Sequence, residues 1–303
     1  MSLTHFIDST EFSKETLLAI LESALQLKSN VRLKKETAPV LQGKTVGLLF
    51  EKPSTRTRVS FEVGVRQLGG QAITLYRDEV GLGKREPIKD VARVLSRYLD
   101  MVMIRTFEHD NITTFASHAT IPVINGLTDH SHPCQALADF MTIKENFSDL
   151  SQLKIAYLGD GNNVCRSLVN MAQVLGIDIV ISNPPSFELT SDTSVTRVSD
   201  PKIAVAGAHV VYTDTWISMG EGTTHKPDRL LSRFLPYQVT AELMALADPS
   251  AIFMHCLPAH RGEEVTDDVI EAPYSKVFDQ AENRLHAQKA VMRFLISKGF
   301  KGG

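Results

Sequence analysis

The run Ser54-Thr55-Arg56-Thr57-Arg58 sets three hydroxyls beside two guanidinium groups. It falls between an apolar β-rich run and a helix-period run, so these groups are expected at a helix N-terminus. There the free backbone N–H groups and the positive end of the dipole attract a phosphate. Arginine adds bidentate, charge-assisted bonds. A plain cap needs one hydroxyl and no guanidinium, so an anion site accounts for the run better. It is not a Walker A loop, because the nearest approach, Gly64 to Gly69, has Gly70 where the lysine must stand. Arg105 follows the apolar run 101–104, and His132-Pro133-Cys134-Gln135 follows the run 122–124. Both are expected on the same sheet edge, since open α/β sheets bind ligands beyond the carboxyl ends of their strands. A phosphate site flanked by Arg105 and a His132 or Gln135 donor could bind an acyl phosphate and hold the oxyanion formed when its carbonyl is attacked.

The second half repeats this geometry with other chemistry. Gly159-Asp160-Gly161 after the run 155–158 looks like a dinucleotide loop, but Val164 stands where the third glycine should be. The next strand ends at Asn183, not at the acidic residue that would hold a ribose. Asn162 and Asn163 suit a small zwitterion better, since an amide both donates and accepts. Asp214 and Ser218, ahead of Met219-Gly220, are either a turn or a loop that binds an ammonium group. His255-Cys256-Leu257-Pro258 closes the series. Cys256 is either an inert core residue or a partly exposed thiol poised by His255, and Leu257-Pro258 is a candidate cis peptide.

These groups need a frame. Apolar β-rich runs at 45–50, 72–76, 101–104 and 122–124 form one series; runs at 155–158, 179–181, 209–212, 252–255 and 277–278 form another. Helix-period segments at 59–68, 88–98, 135–147 and 167–175 lie between them, the alternation of parallel α/β sheets. Two doubly wound parallel-sheet domains joined by interdomain helices are expected: 1–140, with helix 283–303 packing back on it, and 141–282. A last helix over 281–298 should end at Gly299. The chain has 303 residues, 43% hydrophobic and 22% charged, which suits two globular units and excludes a disordered or coiled-coil chain. With 35 acids against 32 bases, nothing global draws it to nucleic acid or an anionic membrane. Cys134, Cys165 and Cys256 fit no disulfide framework and no zinc spacing, which suggests a reducing compartment. No apolar run approaches the roughly 18 residues of a membrane helix. The first 25 residues carry Asp8, Glu11, Glu15 and Glu22 but no arginine, against a signal or transit peptide. A cytoplasmic protein, or a mature form freed of its targeting segment, is expected.

Taken in order and over nearly the whole chain, Ser54-Thr55-Arg56-Thr57, Arg105, His132-Pro133-Cys134-Gln135, Asp214 with Ser218-Met219-Gly220, and His255-Cys256-Leu257-Pro258 resemble the aspartate/ornithine carbamoyltransferase family. The first and third motifs imply carbamoyl phosphate; the last two imply ornithine as acceptor. The resemblance implies that Ser54, Thr55, Arg56 and Thr57 grip the phosphate, while Arg105 bridges phosphate and carbonyl. It assigns the carbamoyl group to His132, Gln135, the main-chain carbonyls near Cys256 and Leu257, and Arg284. Asn163, Asp214, Ser218 and the Met219 backbone would bind the α-amino and α-carboxylate groups of ornithine, and Cys256 would border the δ-amine. Arg105, His132, Cys256 and Asp214 then carry the catalysis, without metal or organic cofactor. The implied reaction moves the carbamoyl group to the δ-amine of L-ornithine, giving L-citrulline and phosphate, in arginine biosynthesis or the arginine deiminase pathway.

The resemblance also implies a homotrimer, or a multiple of trimers, in which the loop from Asp78 to Lys84 reaches a neighbouring site. Family members often carry Gln or His where this chain has Gly81, which puts that side-chain contact in question. Three rivals are weaker. Transfer to putrescine or an N-acylornithine would leave Asp214 and Ser218 without an α-amino ligand. An NAD-dependent oxidoreductase lacks the third glycine and the acidic residue. A non-catalytic binding module would not need phosphate, oxyanion and zwitterion groups to converge.

Overall fold

A computed structural model of the chain describes residues 5–190, 195–216 and 228–299. It divides into two compact units, residues 1–141 with 282–303, and residues 142–281.

The first unit runs α1 (Lys14–Arg32), β1 (Thr45–Phe50), α2 (Thr55–Gln67), β2 (Gln71–Tyr76), α3 (Arg77–Val80), α4 (Ile88–Leu95), β3 (Met101–Arg105), α5 (His109–His118), β4 (Val123–Leu127) and α6 (Pro133–Asn146), whose last residues enter the second unit. All pairings are parallel, in the order β2-β1-β3-β4. Every residue of β3 and β4 is buried, as expected of strands covered on both faces, whereas the edge strand β2 is half exposed. Leu49, Val102, Ile104 and Val123 pack against Val91, Ala92, Ile112 and Phe115 of α4 and α5. Full burial of one such aliphatic side chain contributes about 1.5–3 kcal/mol, so this layer anchors the strand ends that carry the site.

The second unit runs β5 (Lys154–Leu158), α7 (Asn163–Leu175), β6 (Asp178–Ser182), β7 (Thr196–Arg197), α8 (Pro201–Val205), β8 (Val210–Thr213), α9 (Asp228–Phe234), α10 (Ala241–Met244), β9 (Ile252–His255), α11 (Asp267–Ile270) and α12 (Val277–Gly299), which returns the chain to the first unit at Glu282. Its sheet is also parallel, in the order β7-β6-β5-β8-β9. Ala156, Leu158, Val211 and Phe253 form its core with Ala204, Val205, Leu243 and Val269.

Within the first unit α12 packs on α1 and α2. The buried Lys28 ammonium of α1 donates to Asn283 Oδ1 at 2.7 Å and pairs with Glu282 at 3.6 Å, partners that offset the cost of burying a charge. Gly64 of α2 lets the helices approach closely, since a β-carbon there would lie 3.2 Å from Lys289 Cγ and 3.3 Å from Met292 Cε.

The expected α/β alternation is present, with differences that have physical causes. The apolar pair 277–278, expected as a strand, is the first turn of α12. Val277 is buried and Phe278 is 64% exposed, and a two-residue apolar run cannot distinguish the two periods. A lone bridge from Phe253 to Ser275 takes the strand's place. The run 122–124 is the start of a longer strand, β4, which continues through Asn125, Gly126 and Leu127. Helices α1, α3, α5 and α8 to α11 and the two-residue strand β7 lie outside the expected segments.

Candidate active site

In the first unit the site groups come from the ends of β1, β3 and β4 and from α12. Ser54 is the N-cap of α2: its backbone is extended and its Oγ accepts the Thr57 N–H at 3.3 Å. Its hydroxyl lies 3.0 Å from Thr57 Oγ1. Thr55 and Arg56, in the first turn, are exposed beside the free N–H groups, while Thr57 is buried. Arg58 turns to the strand edge and donates to the Tyr76 hydroxyl at 2.5 Å.

Arg105 is the last residue of β3, and Glu51 N–H donates to its carbonyl at 2.8 Å. The register with β4 shifts between Ile104 and Arg105, and such irregularities re-aim the side chain beside them. Gly126 permits this, since a β-carbon there would collide with Met103 Sδ at 2.2 Å. His132 is presented by a tight turn, in which Thr128 N–H donates to the Ser131 carbonyl at 2.9 Å and Asn125 Nδ2 donates to Ser131 Oγ at 3.0 Å. Pro133 then opens α6, with no N–H to leave unpaired.

Arg284 joins these elements. Buried on α12, it donates through Nη2 to Thr57 Oγ1 at 2.7 Å, and through Nη1 to Gln135 Oε1 and to His132 Nε2 at 3.2 Å. Gln135 donates its other end, Nε2, to Asp139 Oδ1 at 2.8 Å, which fixes the orientation of the amide. Because Arg284 can only donate, His132 Nε2 is an acceptor and the ring carries its proton on Nδ1. Burial, then the charges of Arg284 and Arg105, hold the His132 imidazole well below its ordinary pKa, so it is neutral near pH 7. The same positive field suits an anion whose carbonyl becomes an oxyanion on attack.

In the second unit the groups gather at the carboxyl ends of β5, β8 and β9. Asn162 is the N-cap of α7, its Oδ1 accepting Val164 N–H and Cys165 N–H at 2.9 and 3.0 Å. Its Nδ2 donates to Asp214 Oδ2 at 2.9 Å. Asp214 Oδ1 accepts the Cys256 thiol at 3.0 Å. Of the two adjacent amides, Asn162 bonds Asp214, while Asn163 is the first residue of α7. Leu257-Pro258 is cis. Ser218 and Met219 lie outside the described residues.

Cys256 is half-buried, whereas Cys134 and Cys165 are buried. Burial pushes the Cys134 thiol up to about 12 and the Cys165 thiol well above its ordinary value. Of the two alternatives for Cys256, poising by His255 is disfavoured: His255 Nδ1 accepts Leu257 N–H at 2.9 Å and Nε2 faces Glu264 at 3.1 Å, so both nitrogens are engaged elsewhere. Asp214, His255 and Cys256 bring three metal-ligand atoms within 4.8 Å of one another, but His255 has no lone pair left for a metal. Glu264 was not singled out from the sequence; it lies beyond the motif and carries no spacing signal.

The glycine loop serves packing. A β-carbon on Gly161 would lie 2.2 Å from Leu189 N and 2.6 Å from Glu188 C, so backbone fills the space next to the loop. Gly161 N–H donates to the Phe187 carbonyl at 2.8 Å, and Asn183 Nδ2 donates to the Gly159 carbonyl at 2.7 Å. Asn183 is thus spent on holding the loop, which disfavours a dinucleotide.

Gly81, in the segment expected to reach a neighbouring subunit, ends α3 in the left-handed region at φ 56. A side chain there would be strained and would press on Arg85 Cγ at 3.2 Å, so this conformation favours glycine.

Residues 4–145 match the family described as aspartate/ornithine carbamoyltransferase, carbamoyl-P binding domain, and residues 151–295 match the corresponding Asp/Orn binding domain. The ornithine carbamoyltransferase of Caldicellulosiruptor saccharolyticus is 48% identical over 306 residues, covering 97% of this chain and 98% of that protein. That of Thermococcus kodakarensis is 49% identical over 304 residues, covering 96% and 95%. The solved structure of ornithine carbamoyltransferase from Pyrococcus furiosus is similar at 45% identity with a TM-score of 0.91, covering 97% of each chain. With both domain families matched over nearly its full length and the motif residues gathered at the strand ends, the chain belongs to the aspartate/ornithine carbamoyltransferase family.

Proposed function

We propose that this chain transfers the carbamoyl group of carbamoyl phosphate to the δ-amine of L-ornithine, giving L-citrulline and phosphate. The observation that carries the carbamoyl phosphate side is the Arg284 guanidinium, which joins Thr57, His132 and Gln135 with Arg105 nearby in charge. Ornithine as acceptor is supported by the relatives, which bear the name ornithine carbamoyltransferase over nearly their whole length.

Ser54, Thr55, Arg56 and Thr57 hold the phosphate at the N-terminus of α2 in this reading, with Arg105 between phosphate and carbonyl. His132, Gln135 and Arg284 orient the carbamoyl group, together with the backbone at Cys256 and Leu257. Asn163, Asp214, Ser218 and Met219 bind the amino-acid end of ornithine, and Cys256 borders its δ-amine. The amine must first lose a proton, because an ammonium has no lone pair. Its nitrogen attacks the carbonyl carbon, and Arg105, His132 and Thr57 stabilise the resulting oxyanion. The carbon–oxygen bond to phosphate then breaks, the phosphate leaves with that electron pair, and the second proton of the amine passes to phosphate or water. A neutral His132 can donate a hydrogen bond to the oxyanion without a full charge.

The domain roles follow: carbamoyl phosphate on residues 1–140 with the segment 283–303, ornithine on 141–282. We place the enzyme in the cytoplasm as a homotrimer or multiple of trimers. Among the described residues no helix is long and apolar enough to cross a membrane. Lys84 and the backbone around Gly81 then make any contact to a neighbouring subunit. Colorimetric detection of ureido product with carbamoyl phosphate and, in parallel, L-ornithine, putrescine, N-acetylornithine and L-aspartate tests the reaction. Product with ornithine alone is expected. Product with another amine overturns the roles of Asp214, Ser218 and Met219, and no product with any amine overturns the whole assignment.

A further inference from the structure

One buried carboxylate lies beneath the turn that follows β9. Glu264 and His255 are both fully buried. Leu257 N–H can only donate, so His255 Nδ1, 2.9 Å away, is its acceptor and the imidazole proton sits on Nε2. Nε2 in turn donates to Glu264 Oε1 at 3.1 Å, and the same oxygen accepts His260 N–H at 2.6 Å. A doubly protonated His255 or its other tautomer would set two donors face to face at Leu257. That residue sits at φ 59, the left-handed region that a branched side chain enters only when its surroundings hold it there. The residue before it is Cys256, whose thiol reaches Asp214 at 3.0 Å.

We propose that Glu264 is a positioning residue. By fixing the Nε2–H tautomer of His255 it holds Leu257 N–H, and with it the Cys256 side chain and the Leu257 carbonyl, in the arrangement the transfer requires. The proposal rests on the function proposed above. What the relay supplies is an acceptor at Oε1, not a negative charge as such. Glutamine at 264 keeps its Oε1 as acceptor for both His255 and His260 and turns its amino group toward His260 Nδ1, 3.6 Å from Oε2 in the parent. Alanine leaves both donors buried without that acceptor.

The test compares the full-length parent with Glu264→Gln and Glu264→Ala. It measures steady-state kinetics with ornithine, the affinity for carbamoyl phosphate, the rate at which iodoacetamide alkylates Cys256 without substrates, and the nitrogen–proton NMR correlations of the His255 ring. The parent and Glu264→Gln are expected to show the Nε2–H tautomer, with turnover and alkylation within roughly threefold of each other. Glu264→Ala is expected to lose at least about 10-fold in kcat, since displacement of a positioned group by a fraction of an ångström acts on turnover. Its alkylation rate should change, while carbamoyl phosphate affinity, carried chiefly by the first unit, should stay within about threefold. The proposal is overturned by a parent with the Nδ1–H tautomer, by Glu264→Gln as impaired as Glu264→Ala, or by Glu264→Ala with normal turnover and alkylation. Should the alanine variant fail to fold, the tautomer and the glutamine variant still decide. A parent that forms no ureido product speaks against the transferase reading instead, and the tautomer and alkylation rates then judge the relay alone.

Discussion

Replacing Arg284 with leucine removes the group on which the first unit's site converges. Leucine retains part of the aliphatic stem but no donor. The parent guanidinium reaches Thr57 Oγ1 at 2.7 Å, Gln135 Oε1, and His132 Nε2 at 3.2 Å. Thr57 keeps its contact with Ser54, so the loss falls mainly on Gln135 and His132. A hydrogen bond from a charged donor contributes about 1.5–3 kcal/mol and a buried acceptor left unmet costs a similar amount, so a stability loss of about 3–5 kcal/mol is expected. Turnover should fall by at least about 10²-fold, the scale for removing one group that stabilises an oxyanion. The pH profile should keep its shape: burial is the largest cause of the low His132 pKa and the Arg105 charge remains, so the ring stays neutral. Ureido formation, calorimetric titration with carbamoyl phosphate and denaturant unfolding measure these quantities. A folded Arg284→Leu chain with turnover within fivefold of the parent would refute the role given to Arg284.

Three further outcomes are expected. Arg105→Gly should lower turnover by at least about 10²-fold, and near-normal citrulline formation would remove Arg105 from the mechanism. Gly161→Ala puts its β-carbon 2.2 Å from Leu189 N, which as backbone cannot swing away, and should cost about 3 kcal/mol or more in urea unfolding. Gly43→Ala meets nothing within 4 Å but sits at φ 73 and should cost only about 1–2 kcal/mol; equal costs would discredit the steric reading. Burial first lowers the pKa of His5, His132 and His286, the last to about 3, from an ordinary 6.5. The unfolded chain therefore takes up protons that the folded chain refuses as pH falls below 6.5, so the associated stability is complete above that value. Below it, stability should drop by about 1.4 kcal/mol per pH unit for each such histidine until its folded pKa is reached. Urea midpoints at pH 7.5 and 5.5 test this, and an undiminished slope in His286→Gln would contradict it.

The parallel α/β class, eight of the strands to within a few residues and the local motifs are legible in the amino-acid order. Each of these is written in neighbouring residues: the alternation of apolar runs, the hydroxyl cap Ser54 with its arginines, Pro133 at the head of a helix, and Val164 in place of a third glycine, which argues against a dinucleotide. The pair 277–278 failed because two apolar residues have no period, and α1 lies ahead of the first strand, so the strand–helix alternation assigns no place to its buried stripe, Leu17, Ile20, Leu21, Ala24 and Leu27. Which groups meet is settled by the folded chain. Thr57 and Arg284 are 227 positions apart, Asp214 and Cys256 are 42, and Asn162 and Asp214 are 52. Such pairs depend on the strand order and on where α12 packs, which no local pattern encodes. The same holds for His255: its motif marked it as a neighbour of Cys256, but its tautomer is set by Glu264, which reaches it only because the chain folds back beneath β9.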